Sequence, residues 1–423
     1  MLTRRRLLKS AVATGLAGAA VTGLPMPALA KTRTLKIGFV TPTTGPLAIF
    51  AEPDQFVLDQ YRAALKDGLE VNGTRHPVEF IVKDSQSSSN RASSVAQELI
   101  FEDEVDLICA SATPDTTNPV ADQAELNGVP CITNDTPWQA HFFGRGGDPK
   151  VGFDYTFHYF WGLEDIIAVF MSHWAAVDSN KVVGAMWPND PDGNSWSNSQ
   201  NGFPAEMSKA GYKLVDTGRY QNGSDDFSAQ IQAFKKAGVE VVTGVMIPPD
   251  FNTFWTQAAQ QGFTPKVVDV AKASEFPQAM SAMGPRAEGL SVEVTWHKNF
   301  PFRSAFSGQS CEALAAAYEA ATGNPWTMPL GTKHSLFDVA TNVLSRTQDI
   351  DDADSIVEAI RATDLETVLG RVNFQDGPVP NISKTPLVGG QWKLGSGTPQ
   401  LEIVTNSNAP QIPLTAQMLP IKA

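Results

Sequence analysis

The sequence predicts an α/β protein of two lobes, each a parallel sheet covered by helices on both faces. Three observations predict it. Strands and helices alternate in two successive series, the first over residues 34–133 and the second over 157–295, and such alternation builds parallel sheets with helices on either side. The strands read as short continuous apolar runs, the pattern of strands buried on both faces. The 423 residues also exceed one ordinary domain, and no low-complexity linker separates the two series.

The first series opens with strand Thr34–Val40, which breaks at Thr41-Pro42-Thr43-Thr44-Gly45-Pro46. A helical stretch to about Leu65 and strand Val78–Val82 follow. Ala92, Val95, Ala96, Leu99 and Ile100 fall at i, i+3, i+4, i+7 and i+8, one face of a helix. Strand Val105–Ala110, helix Pro119–Leu126 and strand Val129–Thr133 continue the alternation. The second series pairs helix Leu163–Trp174 with strand Lys181–Met186, then helix Trp196–Ala210 with strand Lys213–Thr217. The next helix takes Ser224 or Asp225 as its cap, puts Phe227, Ile231 and Phe234 on one face, and stops at Gly238. Strand Val239–Met246, helix Phe251–Gln261 and strands Lys266–Val270 and Leu290–Thr295 complete it. Helices Cys311–Thr322, Leu336–Arg346 and Asp354–Ala362 come next. The tail has hairpin texture over Arg371–Phe374, Asp376-Gly377-Pro378 and Leu387–Leu394.

The amino end predicts export. Arg4-Arg5-Arg6 with Lys9, a mildly apolar stretch from Ala11 to Leu24, and Ala28-Leu29-Ala30 form a charged start, an apolar centre and an A-x-A site. Paired arginines before Leu-Leu-Lys resemble a twin-arginine signal, whose receptor passes folded cargo. Gly15, Gly18, Gly23, Pro25 and Pro27 make the stretch a poor membrane span. The expectation is therefore cleavage after Ala30 and a periplasmic protein. The chain carries a formal charge of −13, and its first 30 residues hold four cations and no acid, which leaves −17 on the rest. So acidic a surface disfavours nucleic acid and anionic lipid. Three cysteines (Cys109, Cys131 and Cys311) form no disulfide framework; Cys109 and Cys131 each end an apolar run and read as core.

Specific residues resemble a known family. Ile37-Gly38-Phe39-Val40-Thr41-Pro42-Thr43-Thr44-Gly45-Pro46-Leu47 resembles the opening strand and Thr-Gly-Pro loop of type I periplasmic solute-binding proteins, closest to the leucine/isoleucine/valine-binding, branched-chain amino acid type. Val105-Asp106-Leu107-Ile108 with Ser111, and Gly128-Val129-Pro130 with Ile132-Thr133, resemble the next two loops. Gly223-Ser224-Asp225-Asp226-Phe227-Ser228 resembles a G-x-x-D-F-S helix start, and Leu369–Phe374 with Gln391-Trp392 resembles the tail. Each match is weak alone; together they span nearly the whole chain in the family's order. The resemblance implies two Rossmann-like lobes joined by a three-strand hinge, with crossings near Phe157, Trp296 and Leu369. Lobe 1 is then 31–156 plus 297–368, and lobe 2 is 157–296 plus 369–423. It also implies delivery of an amino acid or related solute to the membrane permease of an ABC importer.

Open α/β sheets bind ligands at the carboxyl ends of their strands. Ser111, Ala112 and Thr113 match the family position that binds a ligand carboxylate, Thr113 or Asp115 serving alternatively as a helix cap. In the following loop Thr136 is a candidate donor. Asp135 departs from the family's small residues and favours a cation or polar donor. Trp138 either covers an apolar or aromatic group or packs between lobes. Asp192 stands where the family commonly has tyrosine, with Trp196 as its replacement. Asp190, Asp192 and Asn194 resemble the start of a calcium loop, but Ser195 and Asn201 replace its glycine and glutamate, which excludes calcium. The family's ammonium-binding acid aligns with Ala271. Its neighbour Lys272 either faces the cleft, where it would bind a second carboxylate, or is a solvated loop lysine. Phe160, Trp161 and Trp296 add flat walls suited to rings or planar groups.

The expected ligand is thus a small carboxylate-bearing molecule: an amino acid or related amide, an aromatic acid or a dicarboxylic acid. H-E-x-x-H, G-x-S-x-G and P-loop motifs are absent, and the six histidines lack metal spacing, so the expectation is a monomeric binding protein, not an enzyme, without cofactor. A sensor that reports ligand to a receptor or regulator would close in the same way and is the alternative.

Overall fold

The computed structural model describes residues 32–395 and 398–422; the export signal read over residues 1–30 lies outside them. Five strands open the chain: β1 (Leu35–Thr41), β2 (Val78–Asp84), β3 (Leu107–Ser111), β4 (Cys131–Asn134) and β5 (Thr156–Tyr159). Between them run α1 (Asp54–Ala64), α2 (Ser89–Phe101), α3 (Pro114–Asn127) and the short α4 (Trp138–Phe142). The second series is α5 (Leu163–Ala175), β6 (Val182–Pro188), α6 (Pro191–Trp196), α7 (Phe203–Lys209), β7 (Lys213–Tyr220), α8 (Ser228–Ala237), β8 (Val241–Val245), α9 (Pro248–Gln260), β9 (Val267–Ala271), α10 (Pro277–Met283) and β10 (Ser291–Val294). Then come α11 (Cys311–Thr322), α12 (Met328–Arg346), α13 (Ala353–Arg361), and strands β11 (Ile382–Ser383), β12 (Val388–Lys393) and β13 (Gln400–Thr405).

Two sheets result. The first has order β11-β5-β4-β3-β1-β2, parallel throughout. The second has order β13-β12-β10-β9-β8-β6-β7, with β12 and β13 antiparallel at one edge. Both cores follow from residue alternation along buried strands. In the first sheet Leu35, Ile37 and Phe39 point towards α1 and α12, where Phe39 meets Phe337 edge-on at 5.2 Å. Val40, Ile108 and Ala110 point the other way and pack on Ala92, Val95, Ala96 and Leu99 of α2, the apolar face visible in the sequence. In the second sheet Val183, Ala185 and Trp187 meet Phe170 and Trp174 of α5 and Phe203 of α7. Asp269, buried on β9, is held there by His173 Nδ1 at 2.8 Å and Trp174 Nε1 at 2.7 Å. A buried carboxylate needs such partners.

Several expectations change. The helix expected over Trp196–Ala210 is two helices, because Asn198 Oδ1 accepts the Gln200 amide in a turn and Pro204 can only stand at the start of a helix. Neither Ser224 nor Asp225 caps α8; Asp226 Oδ1 accepts the Ser228 amide at 2.8 Å, and the helix begins three or four residues later. Leu369 lies at the turn of a small hairpin, Asp364–Thr367 with Gly370–Asn373, and the chain does not change sheets there. It first adds β11 beside β5 and enters the second sheet only with β12, so residues 369–383 belong with the first lobe's strands. The other crossings follow β5 and β10.

Cys109 pairs with Ile132 and Cys131 with Ile108. The two cysteines are thus one step out of register and point to opposite faces, into different cores, where no bridge can form. All three cysteines are free and buried. Titration with a thiol reagent should find no reactive thiol in the native protein and three after unfolding. Fewer than three under non-reducing conditions would contradict this packing.

Candidate ligand-binding cleft

The carboxyl ends of the two sheets face each other, and the loops leaving them line one cleft. The first lobe supplies Phe50 after β1, Ala112, Thr113 and Pro114 after β3, and Asp135 and Pro137 after β4. The first crossing supplies Phe160 and Trp161. The second lobe supplies Asp192 and Trp196 of α6, Val245, Ala271, Lys272, Glu275, Glu293 and Thr295. In each sheet strand order reverses next to these loops, β3 to β1 in one and β8 to β6 in the other, the place where α/β sheets open a crevice.

The lobes touch around the cleft. Phe50 meets Phe276 edge-on at 4.9 Å, inside an apolar cluster with Leu47, Ala112 and Ile247. Gln278 Nε2 donates to Glu52 Oε1 at 2.5 Å. At the hinge side the Trp138 amide donates to the Trp161 carbonyl, and Trp138 Nε1 to Glu164 Oε1 at 3.3 Å.

Of the residues singled out in the sequence, Ala112, Thr113, Asp135, Phe160, Trp161, Asp192, Trp196 and Lys272 meet in the cleft. Four do not line it. Ser111 ends β3 with its carbonyl accepting from the buried ammonium of Lys333. Thr136 is fully buried; its hydroxyl donates to the Ala112 carbonyl at 3.4 Å, and its own carbonyl accepts His158 Nε2 at 2.7 Å. Trp138 packs on Phe142 and Phe143 and joins the lobes, the second of its two readings. Trp296 lies behind the cleft, edge-on to Trp326 at 5.5 Å.

Thr113 occupies the cap position of α3 without making a capping bond, so its hydroxyl is left buried and unpartnered at the helix amino end. Trp196 Nε1 is likewise buried without an acceptor. Both residues line the cleft, one from each lobe, and such donors are costly to bury unless something bonds them. Asp135 and Lys272 hold φ of 65° and 64°, a left-handed conformation that few residues other than glycine adopt and that concentrates at functional sites.

Lys272 is buried and ion-pairs with Asp192 of its own lobe, so the reading as a solvated loop lysine falls. Burial disfavours its charge, but Asp192, Asp190 and Asp115 outweigh that and hold its pKa above the ordinary lysine value. Asp192 itself is pushed up to about 6 by burial, against the pull of Lys272. Asp135 is also raised to about 6 by burial, opposed by Lys333 and by Thr332, whose hydroxyl donates to its Oδ2 at 3.3 Å.

Glu275 and Glu293 were not among the residues selected from the sequence. Both are buried in the cleft wall, near enough for each carboxyl to raise or lower the other's proton affinity, and two buried carboxyls so close keep at least one proton between them. Glu293 Oε1 also accepts the Lys272 amide at 3.3 Å. A signal for Glu293 existed: it is the lone carboxylate within the apolar strand Leu290–Thr295. No signal marked Glu275 until the fold brought it beside Glu293. Among the described residues no group of three or more His, Cys, Asp or Glu side chains is arranged to hold a metal.

This geometry is that of a protein that holds a solute between two lobes. The chain belongs to the periplasmic binding protein family, whose profile matches residues 34–382, and its fold is the type I arrangement. A leucine-, isoleucine-, valine-, threonine- and alanine-binding protein of Pseudomonas aeruginosa is 23% identical over 368 residues, 83% of this chain and 89% of the relative. A leucine-binding protein of Thermotoga maritima superposes with a TM-score of 0.70 at 20% identity, covering 88% of this chain and 99% of that one. An ABC-transporter solute-binding protein of Rhodopseudomonas palustris, solved with 3,4-dihydroxybenzoic acid, gives 0.72 at 19% identity, with 89% and 98% covered. At such identities these structures establish the fold and leave the ligand open.

Burial raises the Glu293 carboxyl from 4.5 to about 8, and Glu275 well above its ordinary value. The native state then keeps a proton that the unfolded chain releases, so stability falls as pH rises from about 4.5 to about 8. Glu293→Gln should therefore melt at a higher temperature than the wild type at pH 8, with the gap narrowing towards pH 5. A gap that widens in acid would show that burial is not what governs this pair.

Proposed function

We propose that the protein captures a small carboxylate-bearing solute in the periplasm by closing its lobes and hands it to the membrane permease of an ABC importer. One observation carries the reading: Thr113 and Trp196 line one cleft from opposite lobes, and Thr113 Oγ1 and Trp196 Nε1 are buried without partners. A ligand bonded by both is held best when the lobes are shut, so its differential affinity shifts the population towards closure. The amino end of α3 beside Thr113 attracts an anion through its dipole. Trp196 Nε1 adds a donor from the far side. The family and the ABC-transporter solute-binding relative support delivery to an importer, and the dihydroxybenzoic acid of that relative is an acid of the proposed kind.

Isothermal titration and tryptophan fluorescence with a panel of amino acids, amides, aromatic acids and dicarboxylates test this reading. Binding of at least one acid, with a fluorescence change from Trp161 or Trp196, is expected. Thr113→Val, which keeps shape and removes the hydroxyl, should weaken that ligand by about tenfold or more. Unchanged affinity in this variant would remove Thr113 from the site, and failure of the entire panel to bind would sink solute capture.

A further inference from the structure

The proposed carboxylate accounts for one end of the cleft, and its opposite end has the wrong chemistry for another anion. Asp135, Asp192, Glu275 and Glu293 line the cleft against a single lysine, Lys272, which is already paired with Asp192. Asp115 and Asp190 stand close enough to act on Lys272 as well. Lys333, the other nearby cation, is tied to the Ser111 carbonyl behind the first lobe and answers Asp54 and Asp135. Among the described residues Glu275 and Glu293 have no side-chain cation paired to them, only the Lys272 amide on Glu293 Oε1 and the more distant pull of the Lys272 ammonium on Glu275. Burying carboxyls is costly unless a cation or several donors meet them.

The surroundings of this pair narrow the occupant. Glu293 lies on β10 and Thr295 just beyond its end, and both line the cleft. Trp161 Nε1 donates to Thr295 Oγ1 at 3.3 Å, and the indole lines the same cleft as Glu293. Phe160 stacks against Trp161 with centroids 4.9 Å apart and planes 32° from parallel. Two neighbouring carboxyls accept a fork of N–H donors, and a flat aromatic wall accepts the face of a planar cation. A compact ammonium uses neither the width of the pair nor the flat wall.

We propose that Glu275 and Glu293, walled by Trp161, form a subsite for a guanidinium or amidinium group at the far end of the ligand, whose arrival displaces the proton the two carboxyls share. The ligand is then a small zwitterion: a carboxylate at Thr113 and a planar nitrogen cation at the pair. This rests on the solute-capture reading above. The displaced proton leaves to solvent, and the groups setting its release are Asp135 of the first lobe and Asp269 and Lys272 of the second.

Titration calorimetry on the purified protein with ω-guanidino acids, guanidinoacetate through 4-guanidinobutyrate, tests it against straight-chain acids of equal length that lack the guanidino group. The guanidino acids should bind at least about tenfold tighter, and paired buffers of different ionisation enthalpy at pH 7 should report proton release. Glu293→Gln and Glu275→Gln, each checked for folding by circular dichroism, should lose that preference and the released proton. Equal affinity for both series in the wild type overturns the subsite, as does an equal loss for both series in the variants. If the guanidino acids fail to bind while another acid from the earlier panel does, the subsite is wrong and solute capture stands.

Discussion

Lys272 supplies the only ammonium among the side chains that line the cleft, and the protonation of that chamber is organised around it. Its charge survives burial because Asp192, Asp190 and Asp115 surround it. In return it holds down carboxyls that burial would otherwise push higher, Asp192 most directly. Asp115 and Asp135 belong to the first lobe and Lys272 to the second, so part of this balance exists only while the lobes are together. A strained backbone at both Asp135 and Lys272 indicates that their placement is imposed by the surrounding loops rather than preferred by the chain.

The scaffold delivers these loops with little adjustable geometry. Each sheet ends its strands at a reversal of strand order, and the crossings after β5, β10 and β11 join the sheets next to the cleft. Behind the first lobe's loops lies a polar support. Lys333 takes the Ser111 carbonyl, Asn134 Nδ2 donates to the Thr332 carbonyl at 2.9 Å and to Tyr159, and His158 takes the Thr136 carbonyl. Burial lowers His158 to about 3, so this imidazole stays neutral and its N–H points in one direction. Such a backing holds backbone carbonyls still and leaves Thr113 free to face the cleft.

The apolar face of α2, the span of α11, the alternation of both series and the loops after β3 and β4 were legible in the sequence because each depends on residues near one another in the chain. The break between α6 and α7 was missed because apolar periodicity continues across it while Asn198 and Pro204 act locally. The third crossing was misplaced because the pairing of two-residue β11 with β5, more than 200 residues earlier, leaves no local trace.

What the sequence determined by itself was the family, the two sheets and the loops that form the first lobe's side of the cleft, since period, turn chemistry and ordered motifs are properties of short segments. Only the tertiary structure decided which polar side chains share a low-dielectric space. Lys272 could be read as solvated or cleft-facing until its burial beside Asp192 settled it. Glu275 and Glu293 are 18 residues apart in the chain, and nothing in that spacing brings two carboxyls into contact. Their shared proton arises from burial and proximity, which are properties of the fold and not of either residue alone.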